Sequence, residues 1–312
     1  MVMDFPIFDL LDEDMSSRWL LKHFHQDDLK CPHCGKRVEE ARPFRTTVKS
    51  RLTVYRCPCQ GIYNLYSGTI FEGKHFRPTQ VVLLLRGVCK GDSAASMARE
   101  LNLSRQTVHD MRKLIQANAE LLQPEDALPD SCTETDEMFQ NAGEKGDRHD
   151  DPEDPPRRRA NKRRGHGTYA NDRPAIVGTV GRDTHQVRLL VVHHTDRETL
   201  EEHVHRFTQA DAVVNTDEWG GYQHLDRMHV TVCHGDKEWA RDDDGDGIRE
   251  VHTNTSEGWW TSVRNFLRPF RGVHKRLLSG YVAICEFSLN LKCVTSDFIS
   301  TLVAKKLPLH SV

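Results

Sequence analysis

The sequence predicts a multidomain fold: a small cysteine-clasped ribbon, then an all-α segment, then an α/β segment. Three observations carry this reading. Four cysteines fall as two close pairs near the amino terminus, a helical apolar period fills residues 76–124, and from residue 131 the apolar pattern shortens to strand-length runs. With 312 residues, 37% hydrophobic and 29% charged, the composition suits two or three domains in water better than one large core. No apolar run approaches the roughly eighteen residues of a membrane helix. The opening stretch, MVMDFPIFDLLDED, is acidic where a secretion signal is basic. The expected location is therefore the cytoplasm, with no membrane partner.

The ribbon is assigned to residues 17–75. CPHCG gives Cys31 and Cys34 a C-x-x-C spacing, and YRCPCQG supplies Cys57 and Cys59 after 22 intervening residues. Two such knuckles bring four thiolates to one tetrahedral structural Zn²⁺. The second knuckle is one residue short of the usual spacing, so its loop must adjust. His33 and His75 stand as reserve ligands. Nine cysteines without a secretion signal point away from a disulfide framework. Cys89, Cys132, Cys233, Cys285 and Cys293 lack ligand spacing and read as buried small hydrophobes.

Residues 76–124 read as a helix-turn-helix DNA-binding domain. Pro78 suits the first turn of a helix through TQVVLLLRGVC, and Gly91, Asp92 and Ser93 mark its end and the next cap. SAASMARELNLSRQTVHDMRKLIQANAELL then gives a short helix, a turn at Asn102 and Leu103, and a second helix capped by Ser104. Ala94, Met97, Ala98, Leu101, Val108, Met111 and Leu114 form the expected inner face. Arg105, Gln106 and Thr107 open the second helix, the part that meets base edges when such a helix lies in the major groove.

From residue 131 to 300 the runs CTETDEMF, PAIVGTVG and QVRLLVVHH, the helix RETLEEHVHRF, and the runs DAVVNTDEWGGY and MHVTVCH follow the order of a ribonuclease-H-like α/β domain. Asp136 lies in the first strand and Asp217 at the end of the fourth, strands that neighbour each other in that fold. HTNTSEGWWTSVRNFLRPF opens a helix on which Asn254 and Glu257, three residues apart, share a face. Carboxylates converging from separate elements repel, and hard divalent cations relieve the repulsion. Two such ions about 3.5 to 4 Å apart suit in-line phosphoryl transfer.

The formal net charge of −3 conceals strong separation. A basic insertion near 147–173 carries Arg157, Arg158, Arg159, Lys162, Arg163 and Arg164, next to DDPEDPP, and clustered arginines beside an acidic site are expected to meet phosphates. DDDGDG places Asp242, Asp244, Asp246 and Gly247 like an EF-hand loop, but Thr253 stands at the twelfth position, so a solvated loop is expected. Trp259 and Trp260 are candidates for the core or for stacking on an unpaired base.

Together CPHCG, SGTIFEGKHF, TDEMF, NTDEWGGY and HTNTSEGWWTSVRNFLR resemble the ISXO-type insertion-sequence transposases, a DDE-class family with an amino-terminal zinc ribbon that is related to the Merlin transposons. The resemblance runs from about Trp19 to about Phe298. It implies an enzyme that binds terminal inverted repeats and uses Mg²⁺ or Mn²⁺ to cleave and join DNA strands. It also implies a homodimer or higher assembly on double-stranded DNA, with terminal repeats and target DNA as partners, and nucleoid association if the host is bacterial. Asp136 resembles the first catalytic aspartate and Asp217 the second, and Glu257 or Asn254 fills the third position. Arg264 stands where the family carries a basic residue facing DNA, and His234 resembles a recurring histidine. Glu134 occupies a first-strand position that is usually apolar. The alternative is a non-catalytic DNA-binding regulator derived from a transposase; retention of Asp136, Asp217 and Glu257 argues against it.

Overall fold

The computed structural model describes residues 3–7, 12–144, 165–233, 236, 238–243, 245–247 and 249–305. The chain divides into two compact units, Met1–Leu122 with Leu291–Val312, and Gln123–Asn290.

In the first unit, helix α1 (Glu13–Phe24) starts where the Asp12 carboxylate accepts the Met15 N–H. A small antiparallel sheet follows, made of β1 (Arg42–Thr46), β2 (Thr53–Arg56) and β3 (Ile62–Tyr63) in that order. Three helices complete the segment: α2 (Pro78–Cys89), α3 (Ala94–Glu100) and α4 (Arg105–Glu120). The starts obey local chemistry. Pro78 opens α2, Ser93 caps α3 by accepting the Ser96 N–H, and Ser104 caps α4 by accepting the Thr107 N–H. Asn102 takes a φ of 51° in the turn, a conformation asparagine tolerates better than most residues. Gly87 lets α2 meet α3, since a Cβ there would come within 2.3 Å of the Met97 sulfur.

The buried face of α4 includes Val108, Met111, Ile115 and Ala119. Leu114, expected inside, is 44% exposed. The i, i+4 step from Met111 selects Ile115, and Leu114 turns away. The end of the chain returns to this unit: helix Ser296–Leu302 buries Phe298, Ile299 and Leu302, and Asn118 Nδ2 donates to the carbonyls of Leu302 and Ala304 at 2.8 and 2.9 Å. Residues 291–300, assigned from sequence to the α/β segment, thus lie with the amino-terminal unit.

The second unit is built on a five-stranded sheet of β4 (Cys132–Phe139), β6 (Ala175–Gly181), β7 (Val187–Val192), β8 (Val213–Asp217) and β9 (Met228–Val232), ordered β7-β6-β4-β8-β9. Strands β4, β6 and β7 pair antiparallel, whereas β8 and β9 run parallel to β4. Two small pairs flank it, β5 (Ala142–Gly143) with β12 (Val273–His274), and β10 (Ala240–Arg241) with β11 (Val251–His252). Strand β6 is buried along its whole length, which explains its apolar run, interrupted only by Thr179, whose buried hydroxyl bonds Thr135 and His203. Helix α5 (Arg197–Phe207) sets Leu200 and Val204 against Val177 and Val214. Helices α6 (Asn254–Leu267) and α7 (Leu278–Asn290) share another core, where Trp259, Trp260, Val263 and Val282 pack with Ile176 and Leu189. Gly178 makes room for this core: a Cβ there would lie 2.2 Å from the Trp259 ring.

Lys275 joins Glu144 and Asp172 in a buried charge cluster. Among the described residues no helix is long and apolar enough to cross a membrane.

Candidate active site and cysteine centre

Parallel pairing of β4 with β8 puts Glu134 opposite Asn215. Two residues further along both strands stand Asp136 and Asp217, each half-buried. The side chain of Asp136 accepts bonds from the Glu137 N–H and from Trp260 Nε1, both at 2.8 Å. Asp217 accepts the Trp219 N–H at 3.0 Å. Asn254 and Glu257 are exposed on the first turns of α6. These residues supply oxygen donors, the chemistry of a hard divalent cation.

Helix α6 is tied to β4 at two points that bracket Glu257. One is the Trp260–Asp136 bond. The other is the buried carboxylate of Glu134, which accepts the Ser256 N–H at 2.9 Å, Arg182 Nε at 2.9 Å, and lies 3.2 Å from His252 Nδ1. Arg182 in turn donates to the His252 carbonyl at 2.6 Å. Glu134 therefore anchors the start of α6, the role that explains a charge at a usually apolar position. The two-residue step from Glu134 to Asp136 places both on one face of the strand, a signal present in the sequence.

Glu137, which sequence reasoning passed over, accepts the Tyr222 hydroxyl at 2.8 Å. Burial pushes its carboxyl up to about 8; the Tyr222 bond opposes the shift, and the charges of Asp136 and Asp217 add to it. The same surroundings, burial first, hold the Tyr222 phenol well above its ordinary value.

Among the described residues, Cys31, Cys34, Cys57 and Cys59 form the one group of three or more His, Cys, Asp or Glu whose ligand atoms lie within 4.8 Å of one another. The acidic residues are not gathered that closely. Sulfur separations of 3.6 Å for Cys31–Cys59 and 3.4 Å for Cys34–Cys57 approach the roughly 3.8 Å edge of a tetrahedron with metal–sulfur bonds of about 2.3 Å. The donor set fits a metal ion held by thiolates. The short second knuckle is accommodated by backbone geometry: Gln60 adopts a φ of 69°, and the Cys57 N–H reaches the Gly61 carbonyl at 2.9 Å. Gly61 is itself constrained, because a Cβ would meet His33 at 2.7 Å and the sulfurs of Cys31 and Cys59 at 3.1 and 3.3 Å.

Residues 145–290 match the ISXO2-like transposase domain. Over 89% of its length the chain is 26% identical to an uncharacterized protein in transposable element ISH50 of Halobacterium salinarum, covering 90% of that protein. The resemblance to ISXO-type insertion-sequence transposases is borne out. Solved structures with weaker similarity include a simian T-cell lymphotropic virus intasome in complex with PP2A regulatory subunit B56 gamma, at 10% identity, TM-score 0.28, and 64% and 66% coverage of this chain and that one. A pre-cleavage Mos1 transpososome is 9% identical with a TM-score of 0.21, over 73% of this chain and 79% of its own.

Within this transposase-like chain, Arg105 and Gln106 are exposed at the start of α4 and Thr107 is half-buried. Gln106 Nε2 donates to Asp110 at 2.8 Å. Arg264 is exposed on α6. Arg157, Arg158, Arg159, Lys162, Arg163, Arg164, His234 and Asp244 lie outside the described residues. Trp259 and Trp260 are both buried, with ring centroids 3.9 Å apart, so both belong to the core. Cys89 and Cys285 are buried as expected, but Cys293 is exposed and Cys132 and Cys233 are half-buried. Asp242 closes its loop by accepting the N–H groups of Gly245 and Gly247, at 2.6 and 2.9 Å.

Proposed function

We propose that the chain is a DDE-class DNA transposase that binds terminal inverted repeats and carries out metal-dependent strand cleavage and strand transfer. The carrying observation is the register of β4 and β8, which sets Asp136 and Asp217 at matching positions on adjacent parallel strands, with α6 tethered to Asp136 through Trp260. The sheet order β7-β6-β4-β8-β9, with its antiparallel and parallel halves, supports a ribonuclease-H-like body for this unit.

In this reading Asp136, Asp217 and Glu257 or Asn254 hold Mg²⁺ or Mn²⁺, which when bound activates the attacking oxygen and stabilises the leaving one. Trp260 fixes the rotamer of Asp136, and Glu134 holds the start of α6 against β4. Water attacks the phosphodiester at the element's end and the bond to the 3′ oxygen breaks. The freed 3′-hydroxyl then attacks a target phosphodiester, releasing a new 3′-hydroxyl there. Cys31, Cys34, Cys57 and Cys59 hold a structural Zn²⁺. The ribbon of residues 17–75 and the helix-turn-helix of 76–124 bind DNA, with Arg105, Gln106 and Thr107 toward bases. Arg264 and Arg157, Arg158, Arg159, Lys162, Arg163 and Arg164 meet phosphates. Pairing two element ends calls for a dimer or higher assembly on DNA.

The test uses purified protein, a terminal-repeat duplex and Mg²⁺ or Mn²⁺. Asp136→Asn and Asp217→Asn are each expected to abolish strand cleavage and leave repeat binding intact. Cleavage that survives in both variants defeats the metal-site assignment. A wild-type protein that binds the repeat and never cleaves it favours the regulator reading.

A further inference from the structure

From residue 42 to residue 71 the sequence carries Arg42, Arg45, Lys49, Arg51 and Arg56 and no Asp or Glu, in a chain whose 46 acidic residues outnumber its 43 Lys and Arg. The fold collects these five cations on the β1–β2 hairpin and its turn. Every residue of β1 is exposed. Register pairs Arg42 with Arg56 and Arg45 with Val54, with an irregularity between Pro43 and Arg45. Arg56 and Val54 are two apart on β2, so Arg42, Arg45 and Arg56 share one face, and Phe44 is the extra residue of a bulge. Lys49 and Arg51 occupy the turn, beside Val48, which is 94% exposed.

Two arginines directly opposite across an antiparallel pair repel and weaken the hairpin. The repulsion is offset in part through one ring: the Arg56 guanidinium lies 4.0 Å from the Phe44 centroid and that of Arg45 lies 5.9 Å from it. None of the five makes an ion pair with a described residue. Arg56 Nε is buried without a hydrogen-bond partner. A surface that holds like charges together, unneutralised, on an exposed strand is complementary to a polyanion.

We propose that the β1–β2 hairpin contacts the phosphate backbone of double-stranded DNA through Arg42, Arg45, Lys49, Arg51 and Arg56. This rests on the transposase reading and gives its ribbon a specific contact surface. The Phe44 ring is occupied by Arg56 and the half-buried Tyr55 ring lies beside Tyr63, with centroids 5.9 Å apart, so the aromatic groups favour a role in holding arginines over one in stacking unpaired bases.

The experiment uses the full-length zinc-loaded protein and two duplexes of equal length, the terminal repeat and an unrelated sequence, over a salt series. Arg42→Ala, Arg45→Ala and Lys49→Ala are combined, with the matching Arg42→Lys and Arg45→Lys pair as a charge-conserving control and zinc stoichiometry as the check on folding. The triple variant is expected to lose affinity equally on both duplexes, with a salt slope shallower by roughly 0.9 per lost contact, while the Lys control keeps the wild-type slope. If the triple variant loses zinc, the single Arg45→Ala and Lys49→Ala variants carry the same slope test. Unchanged affinity and slope overturn the hairpin proposal, and so does a loss confined to the terminal repeat. Wild-type protein that binds both duplexes equally removes the transposase reading's repeat recognition and leaves the hairpin result standing. Wild-type protein that binds neither removes both.

Discussion

The carboxylate of Glu134 and the backbone N–H of Ser256, 122 residues apart in sequence, meet at 2.9 Å in the buried space between β4 and the start of α6. The bond fastens the turn that carries Asn254 and Glu257 to the strand that carries Asp136. An N–H at a helix start lacks an intrahelical partner, so the carboxylate satisfies an open donor and meets the positive end of the helix dipole.

Glu134→Leu is expected to destabilise the α/β unit by about 3 to 5 kcal/mol, because it strands the largely buried Arg182 guanidinium without its counter-charge. Glu134→Gln keeps an acceptor for Ser256 and should cost less. Urea denaturation followed by tryptophan fluorescence measures both. A cost for Glu134→Leu no larger than that of an exposed ion pair, about 1 kcal/mol or less, contradicts the anchoring role.

Glu286 gives a pH dependence whose sign is fixed. Its buried carboxyl accepts the Leu189 N–H at 2.9 Å and the Gln123 amide at 2.7 Å, and burial, opposed by these bonds, raises it to about 7 from an ordinary value of 4.5. A folded-state value above the unfolded one means this site's contribution is fully present below pH 4.5 and is lost as pH rises through 7. Stability should fall over that window at about 1.4 kcal/mol per pH unit from this group. Glu286→Gln, which mimics the neutral acid, should flatten the curve between those limits, and an identical slope in variant and wild type speaks against it.

The cysteine centre should respond to a change that touches no ligand. Gly61→Ala forces a Cβ against His33, which is exposed and can move, and against two sulfurs, which are fixed if a metal holds them. The variant is expected to give up zinc to a chelator at lower concentration than wild type. The Cys31→Ser, Cys34→Ser double variant should fall from one zinc per chain to none. Equal zinc retention in the double variant would mean that the cysteines are not its ligands.

Features set by short spacing were readable from the sequence. Ser93 and Ser104 cap helices, Pro78 opens one, and each cysteine pair is spaced as a knuckle, because each of these depends on residues two to four positions away. Pairings over long separations were not readable. Nothing near Glu134 announces Arg182 or Ser256, nothing near Glu137 announces Tyr222, and the return of Ser296–Leu302 to the first unit depends on Asn118. Leu114 and Ile115 are a narrower case. Both are apolar, and a one-residue rotation of the helix, decided by tertiary packing, selects between them.

The third acidic position poses the sharpest choice. Asn254 and Glu257 are both exposed and three residues apart on the first turns of α6, so helix geometry lets either approach a cation beside Asp136. The tethers at Ser256 and Trp260 enclose Glu257, whereas Asn254 lies outside them. A carboxylate brings a full charge and two oxygens, and an amide brings one neutral carbonyl oxygen. Glu257→Gln is therefore expected to abolish Mg²⁺- or Mn²⁺-dependent cleavage while terminal-repeat binding persists, and Asn254→Ala to leave measurable cleavage. The reverse pattern, with cleavage kept in Glu257→Gln and lost in Asn254→Ala, would transfer the role to Asn254. A half-lost rate in both would mean the two side chains share the cation, and raising the Mn²⁺ concentration should then rescue each.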